Sequence, residues 1–431
     1  MREMKDSGVE WIGEIPADWN VGKTLYALSM PITDGPHETP ELFEEGIPFV
    51  SAEAVSCGNG HIDFEHIRGF ISQDFYDECC KKYIPEMHDI YMIKSGATTG
   101  KVAKVETEKL FTIWSPLAVF RTNPKKCFYE YLYYFIQSDA YQKQIENKWT
   151  YGTQQNIGMR TLEKLIICFP SIDQQMNIAD YLDVKCSKID EIIEKQLSII
   201  EKLKEYKLSI ITEAVTKGIN PDVELKDSTI DMCEQIPVHW GISQNRYLFS
   251  LRDEKNYKPL EEVRLLSLYT DLGVFPHGEQ EERGNKAVKA EGYKVVYEND
   301  IVVNIILAWM GAIGRSAYDG VTSPAYDIYK PNENVCSRYY HYLYRTKPFS
   351  AECYKYGRGI MAMRWRTYSS EFKSIKVPVP PYIEQCQIAD YLDSKCEMLD
   401  KTIADRNKAI DILQEYKKSL IYEVVTGKKE V

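Results

Sequence analysis

Residues 178–217 read IADYLDVKCSKIDEIIEKQLSIIEKLKEYKLSIITEAVTK, and residues 388–427 read IADYLDSKCEMLDKTIADRNKAIDILQEYKKSLIYEVVTG. The second stretch repeats the first 210 positions later: Asp183 answers to Asp393, Cys186 to Cys396 and Tyr206 to Tyr416. Both carry apolar residues at steps of three and four, which fall on one face of a helix. The first ladder is Ile189, Ile193, Leu197, Ile200, Leu203, Tyr206, Ile210 and Ala214. The second is Leu399, Ile403, Asn407, Ile410, Leu413, Tyr416, Leu420 and Val424. A helix of this length with a single apolar stripe needs a partner to cover it. The other copy is the simplest partner, so the pattern predicts a coiled-coil-like helix pair. Asn407, opposite the place of Leu197, is a candidate for fixing its register.

The duplication extends beyond the helices. Lys5-Asp6-Ser7, Ile15-Pro16 and Trp19 return as Lys226-Asp227-Ser228, Ile236-Pro237 and Trp240. Asp89-Ile90 pairs with Asp300-Ile301, and Tyr131-Leu132-Tyr133 with Tyr342-Leu343-Tyr344. The ends of the halves agree closely while their interiors agree only at scattered anchors. That predicts two domains of one fold doing the same job on different targets. Short apolar runs (47–50, 90–93, 301–303) read as strands between Gly-rich turns, and 128–147 as helical, with a counterpart near 338–355. The fold class is therefore α+β, with two tandem pseudo-repeated domains and two long helices as a spacer. The expected boundaries are 1–172 for the first domain, 173–218 for its helix, 219–383 for the linker and second domain, and 384–431 for the second helix.

Composition narrows the class. The chain of 431 residues is long enough for two ordinary cores. It has no apolar run of membrane-spanning length and no apolar leader, which predicts a cytoplasmic protein without membrane contact. Its eleven cysteines are scattered without a CxxC pair, which speaks against a disulfide framework or a zinc site. The net charge of −11 is unusual for a nucleic-acid binder. By segment, residues 20–172 hold 15 Lys and Arg against 19 Asp and Glu, whereas residues 241–383 hold 20 against 16. The helices and linkers carry most of the remaining acid, so a local cationic patch is compatible with the total.

No catalytic constellation is present. SGATTGKV at 95–102 has Ser95 where a phosphate-binding P-loop has glycine, and Val102 where it has Ser or Thr. Its Gly-rich turn, and Gly314-Arg315 in the second half, read better as backbone-phosphate contacts. The acids of PDVELK at 221–226 are adjacent in a linker, unlike a nuclease pair that converges on a metal. Asn123-Pro124 lacks the second proline and aromatic of amino-methyltransferases, and the seven histidines show no ligand spacing.

What the sequence does offer suits DNA. TYGTQQNIGMR at 150–160 presents Gln154, Gln155, Asn156 and Arg160, and YGRGIMAMRWR at 356–366 presents Arg358, Arg364, Trp365 and Arg366. Arg pairs with guanine edges and Asn or Gln with adenine edges. Lys94, Thr98, Lys101, Lys104 and Arg315 are candidates for holding the phosphate backbone without reading sequence.

At its start (KDSGVEWIGEIPADW, 5–19), in its linker (NPDVELKDS, 220–228) and in the two IADYLD helices, the chain resembles the specificity (S) subunit of a type I restriction-modification system. The resemblance covers the full length. It implies two target recognition domains, each reading one half of a split double-stranded DNA sequence, held apart by antiparallel helices acting as a ruler. It also implies docking of methyltransferase (M) subunits, two of them, with motor-nuclease restriction (R) subunits joining through the M–S complex. S-adenosylmethionine, ATP and Mg would then belong to those partners, with no cofactor, metal or catalytic residue on this chain. A 40-residue helix is ~60 Å long, enough to reach across half-sites ~34 Å apart. The rival readings are a coiled-coil protein adaptor that does not touch DNA, and an enzyme with chemistry of its own. Steep salt dependence of DNA binding separates the first rival, and activity of the chain without partners the second.

Overall fold

The structure is a computed structural model and describes residues 2–151, 155–270, 272–278, 290–359 and 365–431. Two helices dominate it: Ile172–Lys217, of 46 residues, and Tyr382–Val425, of 44. Their ends are set locally. The Ser171 N–H donates to Gln174 Oε1 at 3.0 Å and the Gln174 N–H to Ser171 Oγ at 3.3 Å, a reciprocal cap on the first helix. Gly218 and Gly427, at φ of 81° and 71°, take the left-handed turn that stops each helix. Among the described residues no helix is long and apolar enough to cross a membrane.

The covered positions of the two helices run Ile189, Ile193, Gln196, Ile200, Leu203, Lys207, Ile210, Ala214 and Leu399, Ile403, Arg406, Ile410, Leu413, Lys417, Leu420, Val424, all buried or half-buried. Alternating steps of four and three average 3.5 residues, the repeat of a coiled-coil seam. This corrects the expected ladder. Leu197, Tyr206 and Tyr416 are half or more exposed, and Asn407 is exposed, so it cannot fix the register. Polar residues take the seam places instead, because the stems of Gln, Lys and Arg can lie along apolar surface while their ends reach out.

The chain forms two compact units that do not follow the sequence repeat: unit 1 is residues 1–196 with 407–431, and unit 2 is residues 197–406. Each unit takes one end of both long helices. In unit 1, Lys417 Nζ pairs with Asp190 at 2.6 Å and Lys429 Nζ lies 5.8 Å from the Tyr181 ring, so the two helix segments run antiparallel. In unit 2, Lys207 Nζ pairs with Asp400 at 2.6 Å, and a Cβ on Gly218 would lie 3.4 Å from Glu384 Oε1, again antiparallel.

Unit 1 is built on a four-stranded antiparallel sheet of β1 (Thr33–Asp34), β2 (Ile90–Ile93), β3 (Val102–Lys104) and β4 (Leu117–Phe120), in the order β1-β4-β2-β3. β2 and β4 are buried throughout. Successive side chains point to opposite faces, so each strand feeds two cores. Ile90, Met92, Ala118 and Phe120 pack with Trp19, Tyr131, Leu182 and Leu420, while Tyr91, Ile93, Leu117 and Val119 pack with Tyr83 and Phe111. Helices α1 (Tyr129–Gln137), α2 (Asp139–Glu146) and α3 (Met159–Leu162) follow.

Unit 2 repeats this plan with β5 (Phe249–Arg252), β6 (Ile301–Asn304), β7 (Ile313–Arg315) and β8 (Tyr326–Pro331), in the order β5-β8-β6-β7. Helices α4 (Ser337–Tyr344), α5 (Lys347–Tyr356) and α6 (Ser369–Ser374) complete it. Both units are α+β. Each ties its domain to a helix by the same bonds. Phe128 N–H donates to the buried Gln175 at 2.8 Å, and Cys336 N–H to the buried Gln385 at 2.9 Å. Tyr131 Oη donates to Val425 O at 3.2 Å, and Tyr339 Oη to Val215 O at 2.8 Å. Tyr131 therefore corresponds to Tyr339, and the sequence match of Tyr131-Leu132-Tyr133 with Tyr342-Leu343-Tyr344 is out of step by three residues.

Candidate nucleic-acid interface

In both units the chain leaves the central strand into a loop, and a later segment returns to bond that loop. In unit 1 the loop is 94–101. Ile157 N–H donates to Lys94 O at 2.9 Å and Gly96 N–H to Gln155 O at 3.0 Å. The Gly-rich loop and the Gln155–Asn156 strand, 60 residues apart, thus form one surface. Gln155 and Asn156 are exposed on it, as are Lys101 and Arg160, the latter in α3; Thr98 is half-buried. Lys94 is mostly covered and pairs with Asp34 at 3.3 Å. Lys82 also pairs with that carboxylate, and His37 lies 3.3 Å from it, so three basic side chains gather on one buried acid. Neither Lys82 nor His37 was singled out in the sequence, since neither lies in a Gly-rich segment. Gln154 lies outside the described residues.

In unit 2 the corresponding loop is 305–311, and Thr367 N–H donates to Ile305 O at 2.9 Å. Arg358 and Arg366 exchange backbone hydrogen bonds of 2.9 and 3.0 Å. Arg358 is exposed yet reaches the buried Glu371 at 2.8 Å, and Arg366 is half-buried. Trp365 stacks on Tyr354, with centroids 4.8 Å apart and planes at 21°, and its indole N–H donates to Tyr354 O at 2.9 Å. A Cβ on Gly357 would come within 2.5 Å of that indole nitrogen, so glycine is what lets the ring approach. Trp309 also meets Tyr354 edge-on, with centroids 5.9 Å apart. Tyr354, Trp309 and the exposed Leu307 and Met310 were not picked out by sequence reading. The signal was available: IILAWM stands where the first half has KSGATT. Arg364 lies outside the described residues.

Two candidates are placed elsewhere. Lys104 pairs with Ile90 at the far end of β2, away from the loop. It is buried against Glu106 at 3.2 Å, Glu130 at 3.4 Å and the Tyr133 ring. Burial disfavours its charge, but the carboxylates of Glu106, Asp183 and Glu130 outweigh that and hold its pKa above the usual lysine value. Arg315 is the counterpart of Lys104, beside Ile301, and bonds Asn299 at 2.8 Å and Glu298 at 3.2 Å. Lys104 is buried among acids of its own unit, which corrects its reading as a phosphate contact, whereas Arg315 is bonded to the Asn299 amide and the exposed Glu298. The counterpart of Gly100 is Gly311, not Gly314, because β2 pairs with β3 as β6 pairs with β7. Among the described residues no group of three or more His, Cys, Asp or Glu is arranged to hold a metal ion.

The type I restriction modification DNA specificity domain matches residues 36–202. That segment holds β2, β3 and β4 of the unit 1 sheet, its loop surface and the first part of the first long helix. Residues 36–202 thus resemble the type I restriction-modification specificity family. Beyond that segment the likeness to specificity subunits runs the length of the chain. A Methanocaldococcus jannaschii protein assigned as the MjaX type I restriction enzyme specificity subunit is 27% identical over 97% of this chain and 96% of its own. The MjaVIII type I restriction enzyme specificity subunit of the same organism is 21% identical over 86% of each. Among solved structures, a chain from a study of complex assembly and conformational transition of the type I R-M system aligns over 96% of this chain and 99% of its own, with a TM-score of 0.69 at 12% identity. The HsdS subunit from Thermoanaerobacter tengcongensis aligns over 96% and 98%, with a TM-score of 0.51 at 12% identity. At that identity these two likenesses carry the fold.

Proposed function

We propose that this chain is the DNA-reading subunit of a type I restriction-modification complex. Each unit reads one half of a bipartite double-stranded target through its loop surface, and the long helices set the gap between the halves. Two methyltransferase subunits dock on the chain, and restriction subunits join through them. S-adenosylmethionine, ATP and Mg act in those partners, and this chain contributes recognition without catalysis.

The observation that carries this reading is the repeated loop surface. The bond from Ile157 N–H to Lys94 O in unit 1 returns as Thr367 N–H to Ile305 O in unit 2, on sheets of the same strand order. The side chains displayed there differ: Gln155, Asn156 and Lys101 on one, Leu307, Met310, Tyr354 and Arg358 on the other. One frame with two unrelated displays suits two different half-sites, because phosphate contacts position a protein while side chains at base edges specify sequence. An adaptor that binds one partner twice needs no such divergence.

Genome-wide methylation mapping with and without this chain, beside its methyltransferase subunit, tests the proposal. The expected result is a split motif with a fixed gap, methylated only when the chain is present. An unchanged methylome with an active, chain-bound methyltransferase would return the adaptor reading. Incubating the purified chain alone with DNA, S-adenosylmethionine, ATP and Mg tests the second part, with neither methylation nor cleavage expected.

A further inference from the structure

The loop 305–310 of unit 2 is apolar at every position: Ile305, Ile306, Leu307, Ala308, Trp309, Met310. Its fold does not bury them all. Ala308 is fully buried, whereas Leu307 is 36% and Met310 53% exposed. The loop is also held rigidly. Asn304 Oδ1 accepts from Ile306 N–H at 3.0 Å, Trp309 Nε1 donates to Ile306 O at 3.0 Å, and Met310 and Ala312 N–H both donate to Leu307 O. Two apolar side chains are thus presented to solvent on a fixed turn, where contact with a partner costs little ordering. Apolar side chains held out to solvent by a fixed turn suit an interaction site.

Its surroundings indicate what covers it. The same segment that bonds the loop carries Arg358, exposed, and Arg366. Trp309 joins the loop to the Tyr354–Trp365 stack beside them. Arg358 bonds Glu371 yet its side chain stays 77% exposed, so a partner offering anionic groups and small apolar groups side by side matches this surface. In the major groove of duplex DNA the phosphates supply the first and the thymine 5-methyl group is the apolar feature. We propose that unit 2 reads its half-site through apolar contact of Leu307 and Met310 with thymine methyl groups. This rests on the DNA-reading function above. Unit 1, with Lys94–Thr98 in the equivalent loop and Gln155 and Asn156 beside it, exposes only the small Ala97 there as an apolar side chain.

The test uses the complete complex with methyltransferase subunits and a duplex carrying the mapped split motif. In one half-site at a time, every thymine is replaced by deoxyuridine, which removes only the methyl group. In one half-site the exchange is expected to weaken binding about fourfold per contacted methyl, the equivalent of ~0.8 kcal/mol; in the other it leaves binding unchanged. Leu307→Ala with Met310→Ala should bind the normal duplex as weakly as the original complex binds the deoxyuridine duplex, and show no further loss with deoxyuridine. Met310→Gln alone, at the more exposed position, gives a milder form of the same loss if the double variant assembles poorly. Normal binding with no sensitivity to deoxyuridine in either half-site overturns the inference and leaves the proposed function standing; a wedge inserted between base steps would behave this way. A sensitive half-site whose response persists in the variants also overturns it, as does a motif without an A·T pair in the half-site that the variants affect. Loss of methyltransferase assembly in folded Met310→Gln would make the patch a protein contact. Absence of sequence-specific binding by the original complex is the distinct result that would sink the proposed function itself.

Discussion

Units 1 and 2 keep the same acid at the head of the central strand but supply its cation from different places. Asp89 immediately precedes β2 and Asp300 immediately precedes β6, and both are buried. In unit 1 the partner is Arg121, just after β4, whose guanidinium reaches both oxygens at 2.8 and 2.7 Å. In unit 2 it is Arg252 of β5, at 2.8 and 3.1 Å. The position of Arg252 in the sheet is that of Thr33, since Arg252 pairs with Ile328 as Thr33 pairs with Val119. The acid is fixed by its place, because it also accepts backbone N–H groups of the turn that launches the strand: Glu86 N–H in one unit and Tyr297 N–H in the other, both at 2.9 Å. The cation only has to arrive, and a long Arg can do so from the end of the adjacent strand or from the strand beyond it.

The largest expected effect follows from that difference. Asp300→Ala leaves Arg252 mostly covered and without its principal carboxylate, and should cost ~3–5 kcal/mol of unfolding free energy. Asp89→Ala should cost more than Asp300→Ala, because Asp89 additionally accepts from Tyr83 Oη within a buried tyrosine pair. Chemical denaturation of the two variants measures the order. Equal losses, or a larger one for Asp300, would break the claim that unit 1 has built more upon its acid.

A second difference titrates. His341 of unit 2 stands where unit 1 has Tyr133, one residue before Tyr342, which bonds Asp393 as Tyr134 bonds Asp183. Burial, reinforced by the charges of Arg345 and Arg315, lowers the His341 pKa from 6.5 to about 3, and its Nδ1 accepts the Arg315 N–H at 3.1 Å. Between those pH values the unfolded chain takes up a proton that the folded one refuses. The contribution to stability is complete above about pH 6.5 and is lost as pH falls toward 3. His341→Gln keeps an acceptor and cannot titrate. Its unfolding free energy should fall less between pH 7 and pH 5 than that of the original chain, by up to ~2 kcal/mol. Parallel pH curves would remove His341 as the source.

The same comparison shows which features were legible in the sequence. The long helices were, because their repeat is long and periodic and each closes on a glycine. The seam was legible only in part. Following apolar residues led to Leu197 and Tyr206, while the 3.5-residue geometry selects Gln196 and Lys207, whose stems pack although their ends are polar. The slip at Tyr131 has a similar cause: YEYLYY and RYYHYLY are so rich in tyrosine that a shift of about one helical turn still matches. The Gly-rich loops were visible as display surfaces, but Lys104 and Arg315 lie at the far ends of hairpins whose lengths only the strand pairing reveals. The Tyr354–Trp365 stack joins a helix to a segment eleven residues on through a backbone bridge, and no periodicity encodes that.

The smallest effect concerns the helix pair, where the units exchange roles. In unit 1 the acid, Asp190, comes from the first long helix and Lys417 from the second; in unit 2 Lys207 comes from the first and Asp400 from the second. Asp400 and Lys417 are the repeats of Asp190 and Lys207, so these are two versions of one ion pair. They are not equally sheltered. The Asp190 side chain is 33% exposed and that of Asp400 59%. Water weakens the more exposed pair and salt screens it. A double-mutant cycle of Asp190→Asn with Lys417→Met should therefore give a coupling of ~0.5–1 kcal/mol, and one of Asp400→Asn with Lys207→Met a smaller ~0.2–0.5 kcal/mol that fades first as salt is raised. Equal couplings would mean that position on the helix, not shelter from water, sets the strength of these pairs. The seam would then be uniform, and the difference between the units would lie wholly in their domains.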